Sequence, residues 1–270
     1  NKDWLKTTTL SEALDHTPPR GKTYLPEASY REMTEWALPT GSQQQYQDIQ
    51  TEFAGDERWH RLKRYVRGGY WRNFKTKYPE TDEMYTRMMA VSRRIVQAEA
   101  NGADEEQLAP ARRELYRGQC NCSYWHGAFG GVYLPHLRNA VYNHLIAADN
   151  LLDRVVGKPP VWVEASAADL DFDGRQEIRV ENDRLIALIK PNRGGQLYEL
   201  DVRSICHNLL ATLARRPEAY HRTVLKGPQD DGGVASIHDR VVFKQEGLDQ
   251  RLQYDTYQRN SLIDHFYTHD

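Results

Sequence analysis

Residues 133–160 read YLPHLRNAVYNHLIAADNLLDRVVGKPP. The first twenty or so positions carry Leu134, Leu137, Val141, Leu145, Ala148 and Leu152 on one helical stripe, and Pro135 suits a first turn, where its missing N–H costs nothing. The period then stops. VGKPP (156–160) is a linker, and the chain beyond it is written in the alternation of strands. This stretch therefore divides the chain into a helical part, 1–155, and a β-rich part, 156–270.

Upstream, TDEMYTRMMAVSRRIV (81–96) places Met84, Met88, Val91 and Ile95 at i, i+4, i+7 and i+11, with Pro79 and Glu80 as start signals. DEEQLAPARRELYRG (104–118) predicts a helix ending at Gly118 that Pro110 shortens or kinks. With the helix that opens at Pro135 these make antiparallel helices sharing one apolar seam. Downstream, QEIRVEN and RLIALIK flank Asn182-Asp183 as a hairpin, and GGQLYELDVR is a third strand. SICHNLLATLARR (204–216) reads as a helical insertion. The fold class expected is α+β: an antiparallel helical bundle, then part of a β-sandwich-like antiparallel domain.

The chain has 270 residues, 39% apolar and 27% charged, with a formal net charge of −2. Such a balance gives no general attraction for nucleic acid, and no apolar run of membrane-spanning length occurs. Three cysteines do not make a disulfide framework, and the odd number leaves a free thiol, in keeping with a cytoplasmic setting. Asn1 stands where an initiator Met would, so the chain reads as a piece of something longer.

Chemistry concentrates in QCNCSYWHGAFGG (119–131). Cys120 and Cys122 with His126 invite a metal reading. Structural zinc wants four N or S ligands in paired modules, whereas the spacing here is C-x-C and Cys206 lies far off. The cysteines therefore read as buried packing residues. Tyr124, Trp125, His126 and Phe129 cannot all face one core, and the glycines among them allow close approach of a partner. The alternative is a Trp wedged between helices. Two further aromatic stretches repeat the grammar: RGGYWRNFKTKYPE (67–80), with Trp71, and YLPEASYREMTEW (24–36), with Tyr30 and Trp36. Aromatic faces beside Asn, His and carboxylates suit a polyhydroxylated ligand. Glu27, Glu32 and Glu35 follow no acid–base spacing and read as surface charge.

ADLDFDGRQEI (168–178) sets Asp169, Asp171 and Asp173 at alternate positions, then Gly174 and Glu177. Carboxylates at positions 1, 3 and 5 with Gly at 6 begin a calcium loop, with Glu177 as a nearer final ligand. The competing reading is a polar strand edge with Leu170 and Phe172 turned inward. Calcium is thus a possible ligand, and no cofactor is required.

YLPEASYREMTEWALP (24–39), RGGYWRNFKTKYPETDEMYTRM (67–88) and CNCSYWHGAFGGVYLPHLRNAVY (120–142) resemble the non-barrel part of glycoside hydrolase family 57, on its 4-α-glucanotransferase and α-amylase branch. DFDGRQEIRVEN, NLLATLARRPEAYH and SLIDHF resemble the β-rich domain that comes next there. The likeness runs over roughly 7–267. It implies a retaining enzyme acting on α-1,4-glucans or maltooligosaccharides, whose two catalytic carboxylates sit on an N-terminal barrel outside these residues. It implies that Trp125 and His126 line glucan subsites with Tyr124 and Phe129 beside them, and that Tyr30, Trp36 and Trp71 contribute more distantly. No catalytic residue is assigned within the chain. A non-catalytic carbohydrate-binding or protein-interaction module is the reading from another class.

Overall fold

A computed structural model describes residues 4–24, 31–126, 130–226 and 247–268. The helices are α1 (Leu10–His16), α2 (Arg31–Trp36), α3 (Thr40–Glu52), α4 (Glu57–Leu62), α5 (Trp71–Lys77), α6 (Pro79–Ala100), α7 (Glu105–Gly118), α8 (Pro135–Val155) and α9 (His221–Lys226). The strands are β1 (Val163–Ala168), β2 (Glu177–Asn182), β3 (Leu185–Lys190), β4 (Gln196–Val202) and β5 (His207–Asn208). They form one antiparallel sheet in chain order. The protein is α+β. Among the described residues the layer facing this sheet is helical rather than a second sheet.

Helices α6, α7 and α8 form the frame. α6 opens on Pro79, with Glu80 and Asp82 in its first turn where the helix dipole favours acid. α7 is capped by Asp104, whose carboxylate accepts from the Gln107 N–H, and runs through Pro110 to Gly118 unbroken. Gly118 sits so close to Leu145 of α8 that a Cβ would come within 2.8 Å of its Cδ2. Met84, Val91, Ile95, Leu108, Ala111, Leu115, Val141, Leu145, Ala148 and Leu152 fill the seam between them. Of the stripe read on α8, Val141, Leu145, Ala148 and Leu152 are core, whereas Leu137 is half-buried and Leu134 is the residue before the first turn.

A second, polar stripe on the same helices decides how the sheet docks. Glu83 and Arg87 of α6 and Asp149 and Asp153 of α8 are buried, and they face Arg179, Lys190, Glu199, Asp201 and Arg203. Arg87 Nη2 lies 2.6 Å from Asp149 and 3.2 Å from Asp201, and Nε donates to Glu199 at 2.5 Å. Arg179 bridges Asp149 (3.1 Å) and Glu181 (2.8 Å), and Arg203 bridges Asp153 (2.7 Å) and Glu181 (2.5 Å). Arg94 pairs with both Asp149 and Asp153. Burial opposes ionisation of Asp149, but Arg87, Arg94 and Arg179 hold its carboxyl well below the usual range. Asp201 goes the other way, raised by burial and by the neighbouring Glu199 charge. The registers Arg179↔Leu188↔Glu199 and Glu181↔Ile186↔Asp201 put these charges on one face. Ile178, Val180, Ala187, Ile189 and Leu200 share the other, half-exposed face.

The Asn182 hairpin forms as expected: Asn182 Oδ1 accepts from the N–H groups of Arg184 (2.8 Å) and Leu185 (2.7 Å). The helix expected over 204–216 does not form. Arg203–Ile205 is a single 3-10 turn, and Asn208 is claimed by β4, its Oδ1 accepting from Leu200 and Leu210. Pairing with an existing strand outweighs a short helical pattern that has no cap.

Candidate functional site

The three aromatic stretches converge on one place. α2 brings Trp36, α5 brings Trp71 and Phe74, and the turn after α7 brings Tyr124, Trp125 and His126. The Trp36 ring lies 5.4 Å from Trp125 and 4.9 Å from His126, centroid to centroid. Phe74, Tyr78 and Tyr133 close round His126 at 5.4, 5.6 and 5.5 Å. Trp71 stands edge-on to Tyr85 at 5.0 Å and donates its Nε1–H to the Tyr124 carbonyl at 3.2 Å.

The backbone of this turn is fixed by glycine. At Gly131 φ is +49°, and a Cβ would sit 1.9 Å from the Trp125 carbonyl oxygen. That carbonyl accepts from the Val132 N–H at 2.8 Å. Gly68 plays a similar part under α2, where a Cβ would meet the Thr34 carbonyl oxygen at 2.3 Å. Any side chain at either position would push the aromatic stretches apart.

Trp125 and His126 are half-buried. Burial, with the charge of Lys77 added, pushes the His126 imidazole down to about 3, so it is neutral at physiological pH. Its Nε2 is buried and has no hydrogen-bond partner among the described residues. Tyr124 is 6% exposed and gives its hydroxyl to the Gly118 carbonyl at 2.6 Å, so it serves as floor rather than wall. Next to it an apolar hollow of about 300 Å³ is bounded by Met33, Trp71, Tyr85, Met88, Tyr124 and Trp125, with Gln119 and Asn121 at its edge.

Some participants were not legible from the sequence. Tyr78 and Tyr133 share a buried carboxylate, Glu218: the Tyr78 hydroxyl donates to it at 2.7 Å, and Tyr133 does likewise. Lys77 Nζ lies 3.5 Å from the same group. Glu218 comes from the β-rich part, and no local pattern ties it to the aromatic stretches. The Tyr preceding Pro79 and the Tyr of YLP were the available signals for its two partners.

Two site expectations, Tyr30 and Phe129, lie outside the described residues, as does Glu27. Glu35 is half-buried and accepts from Gln50 at 2.9 Å. Cys120 and Cys122 are exposed, correcting their reading as packing residues. Cys120 precedes and Cys122 lies on a 3-10 turn, Asn121–Tyr124, that turns Ser123 and Tyr124 inward and leaves the thiols outside. In the acidic loop, one oxygen from each of Asp169, Asp171 and Glu177 lies within 4.8 Å of the others. Asp173 is not in that trio; its carboxylate accepts from the Arg175 N–H at 2.8 Å. Leu170 packs inward on Ile186, Leu188 and Tyr198, whereas Phe172 turns out under Arg93, whose guanidinium lies 4.2 Å from its ring centre.

Residues 69–152 match the family model of the alpha-amylase/4-alpha-glucanotransferase middle domain, and residues 169–270 match that of the alpha-amylase/4-alpha-glucanotransferase C-terminal domain. Alpha-amylase 1 of Dictyoglomus thermophilum is 38% identical over 251 residues, covering 93% of this chain and 35% of its own length. The 4-alpha-glucanotransferase of Thermococcus litoralis is 40% identical over 261 residues, covering 96% of this chain and 37% of its own length. Its crystal structure superposes with a TM-score of 0.68 at 36% identity, over 94% of this chain and 34% of that one. The chain thus spans about a third of the length of the curated relatives it matches. No helix among the described residues is long and apolar enough to cross a membrane.

Proposed function

Since the chain belongs to the alpha-amylase/4-alpha-glucanotransferase family, as its middle and C-terminal domains, we propose that it forms the sugar-contacting wall of an α-glucan-acting enzyme. The reaction is hydrolysis or transfer at α-1,4 bonds of a glucan or maltooligosaccharide. Its two carboxylates come from a barrel of the same protein outside these 270 residues. The helical part, 1–155, closes over the barrel's active-site face, and the β-rich part, 156–270, buttresses it. The enzyme works in the cytoplasm.

The supporting observation is the cage round His126. His126, neutral and packed among Trp36, Phe74, Tyr78 and Tyr133, fixes the half-buried Trp36–Trp125 pair, and that pair offers the aromatic face a pyranose needs. The half-buried Trp36 and Trp125 are the rings that can stack on the sugar's C–H face, while Phe74 and Tyr78, both fully buried, back the His126 ring from behind. Such contacts accelerate the reaction to the extent that they strengthen as the sugar distorts toward the transition state.

The test uses the whole enzyme with maltoheptaose. Trp125→Ala and His126→Ala are each expected to lower kcat/KM at least tenfold, about 1.4 kcal/mol of transition-state stabilisation, while unfolding stays cooperative. Folded variants that keep near-normal kcat/KM would refute the wall. Glucan binding by the chain with no effect of either variant on turnover would favour a binding module instead.

A further inference from the structure

Glu177 is 0% exposed, and its two oxygens are used differently. Oε2 accepts from the N–H groups of Leu170 (2.9 Å) and Asp171 (3.2 Å), while Oε1 is buried with no partner among the described residues. Asp169 repeats the arrangement: Oδ2 accepts from the Gly174 N–H at 3.2 Å, and Oδ1 is buried and unpartnered. Leaving a buried carboxylate oxygen without a donor or cation is costly, and here two such groups lie together. Lys190 reaches only part of the way. Its ammonium donates to Glu83 at 3.1 Å and lies 3.5 Å from Asp171. Three carboxylates therefore share a fraction of one positive charge.

We propose that Asp169, Asp171 and Glu177 hold a calcium ion that locks the 169–177 loop against the helical layer. The donor set is all oxygen, which suits a hard cation and not zinc. Ligand oxygens within 4.8 Å of one another can share one ion, and calcium accepts such a set of protein oxygens, whereas magnesium keeps several waters and is held by one or two carboxylates. Backbone carbonyls and water complete the six to eight ligands that calcium takes. Asp173 stays out of the shell, closing the loop on Arg175. The ion would stiffen the loop whose Phe172 sits under Arg93 of α6, and so the seam between sheet and helices. This inference does not rest on the glucan reading.

Equilibrium dialysis with calcium-45 on the whole protein tests it. Glu177→Gln keeps a carbonyl oxygen for the Leu170 and Asp171 N–H groups, and Asp169→Asn keeps one for Gly174. Each is expected to bind one calcium fewer per chain than wild type, while Asp173→Asn loses none. Equal stoichiometry in wild type, Glu177→Gln and Asp169→Asn would overturn the site, and so would displacement by equimolar magnesium. A second measurement needs no variant. Amide exchange of residues 169–177 in the wild type, at calcium one hundred times its Kd, is expected to slow about 100-fold relative to chelator. Unchanged exchange would overturn the proposal even if the variants failed to fold.

Discussion

Replacing Arg87 with Met tests what holds the sheet to the helices. The Arg87 side chain is 1% exposed and lies within 3.2 Å of three carboxylates, Asp149, Glu199 and Asp201. Met fills much of the volume of the stem without the charge. Asp149 keeps Arg94 and Arg179. Among the described residues Glu199 and Asp201 keep no cation within salt-bridge distance, and both are 0% exposed. Removing one partner of a buried ion pair costs about 3–5 kcal/mol, a large share of the roughly 5–15 kcal/mol that stabilises a typical domain. The cost depends on pH, with a definite sign. Burial and Glu199 already raise Asp201 above its unfolded value, and losing Arg87 raises it further. A group with a raised folded pKa contributes stability below its unfolded pKa and loses it as pH rises through the folded one. The deficit of the variant is therefore largest at pH 7.5 and shrinks toward pH 4.5. Urea unfolding at both pH values with an unchanged m-value is the assay. Arg87→Met combined with Glu199→Gln should recover at least half of the loss. A loss below about 1 kcal/mol at pH 7.5, or one indifferent to pH, would refute the view that Arg87 neutralises a buried acidic pair.

Gly131→Ala must move the Trp125 carbonyl and adopt a positive φ, so it should cost about 1–3 kcal/mol in thermal melts and, under the proposed function, lower kcat/KM of the whole enzyme on maltoheptaose. Glu83 is raised to about 7, chiefly by burial and in spite of Lys190, from an ordinary 4.5. Its contribution to stability is present below pH 4.5 and lost as pH rises through about 7, so Glu83→Gln should flatten that part of the stability–pH curve, read by urea midpoints. Cys120 and Cys122 are exposed, and burial raises the Cys206 thiol. A thiol reagent at pH 8 should therefore titrate two cysteines quickly and the third slowly in the native protein, and Cys122→Ser should shift stability by no more than about 0.5 kcal/mol.

Local rules made α6, α7, α8 and the Asn182 hairpin legible, because a stripe, a cap or an Asx turn is written within a few neighbouring residues. The odd density of Trp, Tyr and His around 119–131 marked the candidate site for the same reason. Alternation in EIRVEN and LIALIK announced two sheet faces, but alternation says nothing about which face is covered. The usual expectation sends Ile178 and Val180 inward and leaves Arg179 and Glu181 to water. Here Arg87 and Asp149 wait on the helices at the height of Arg179 and Glu199, and the charged face is the one buried. Likewise His126 sits in a cage whose Tyr78 and Tyr133 are held by Glu218, which lies 140 and 85 residues further along the chain. The helical pattern over 204–216 lost to pairing with β4. Sequence alone determined α6, α7, α8 and the β2–β3 hairpin, since each is stabilised by neighbours a turn or a strand pair away. Tertiary structure alone decided which charges are buried together and which rings pack together, because those energies exist only once distant residues meet and water is gone from between them.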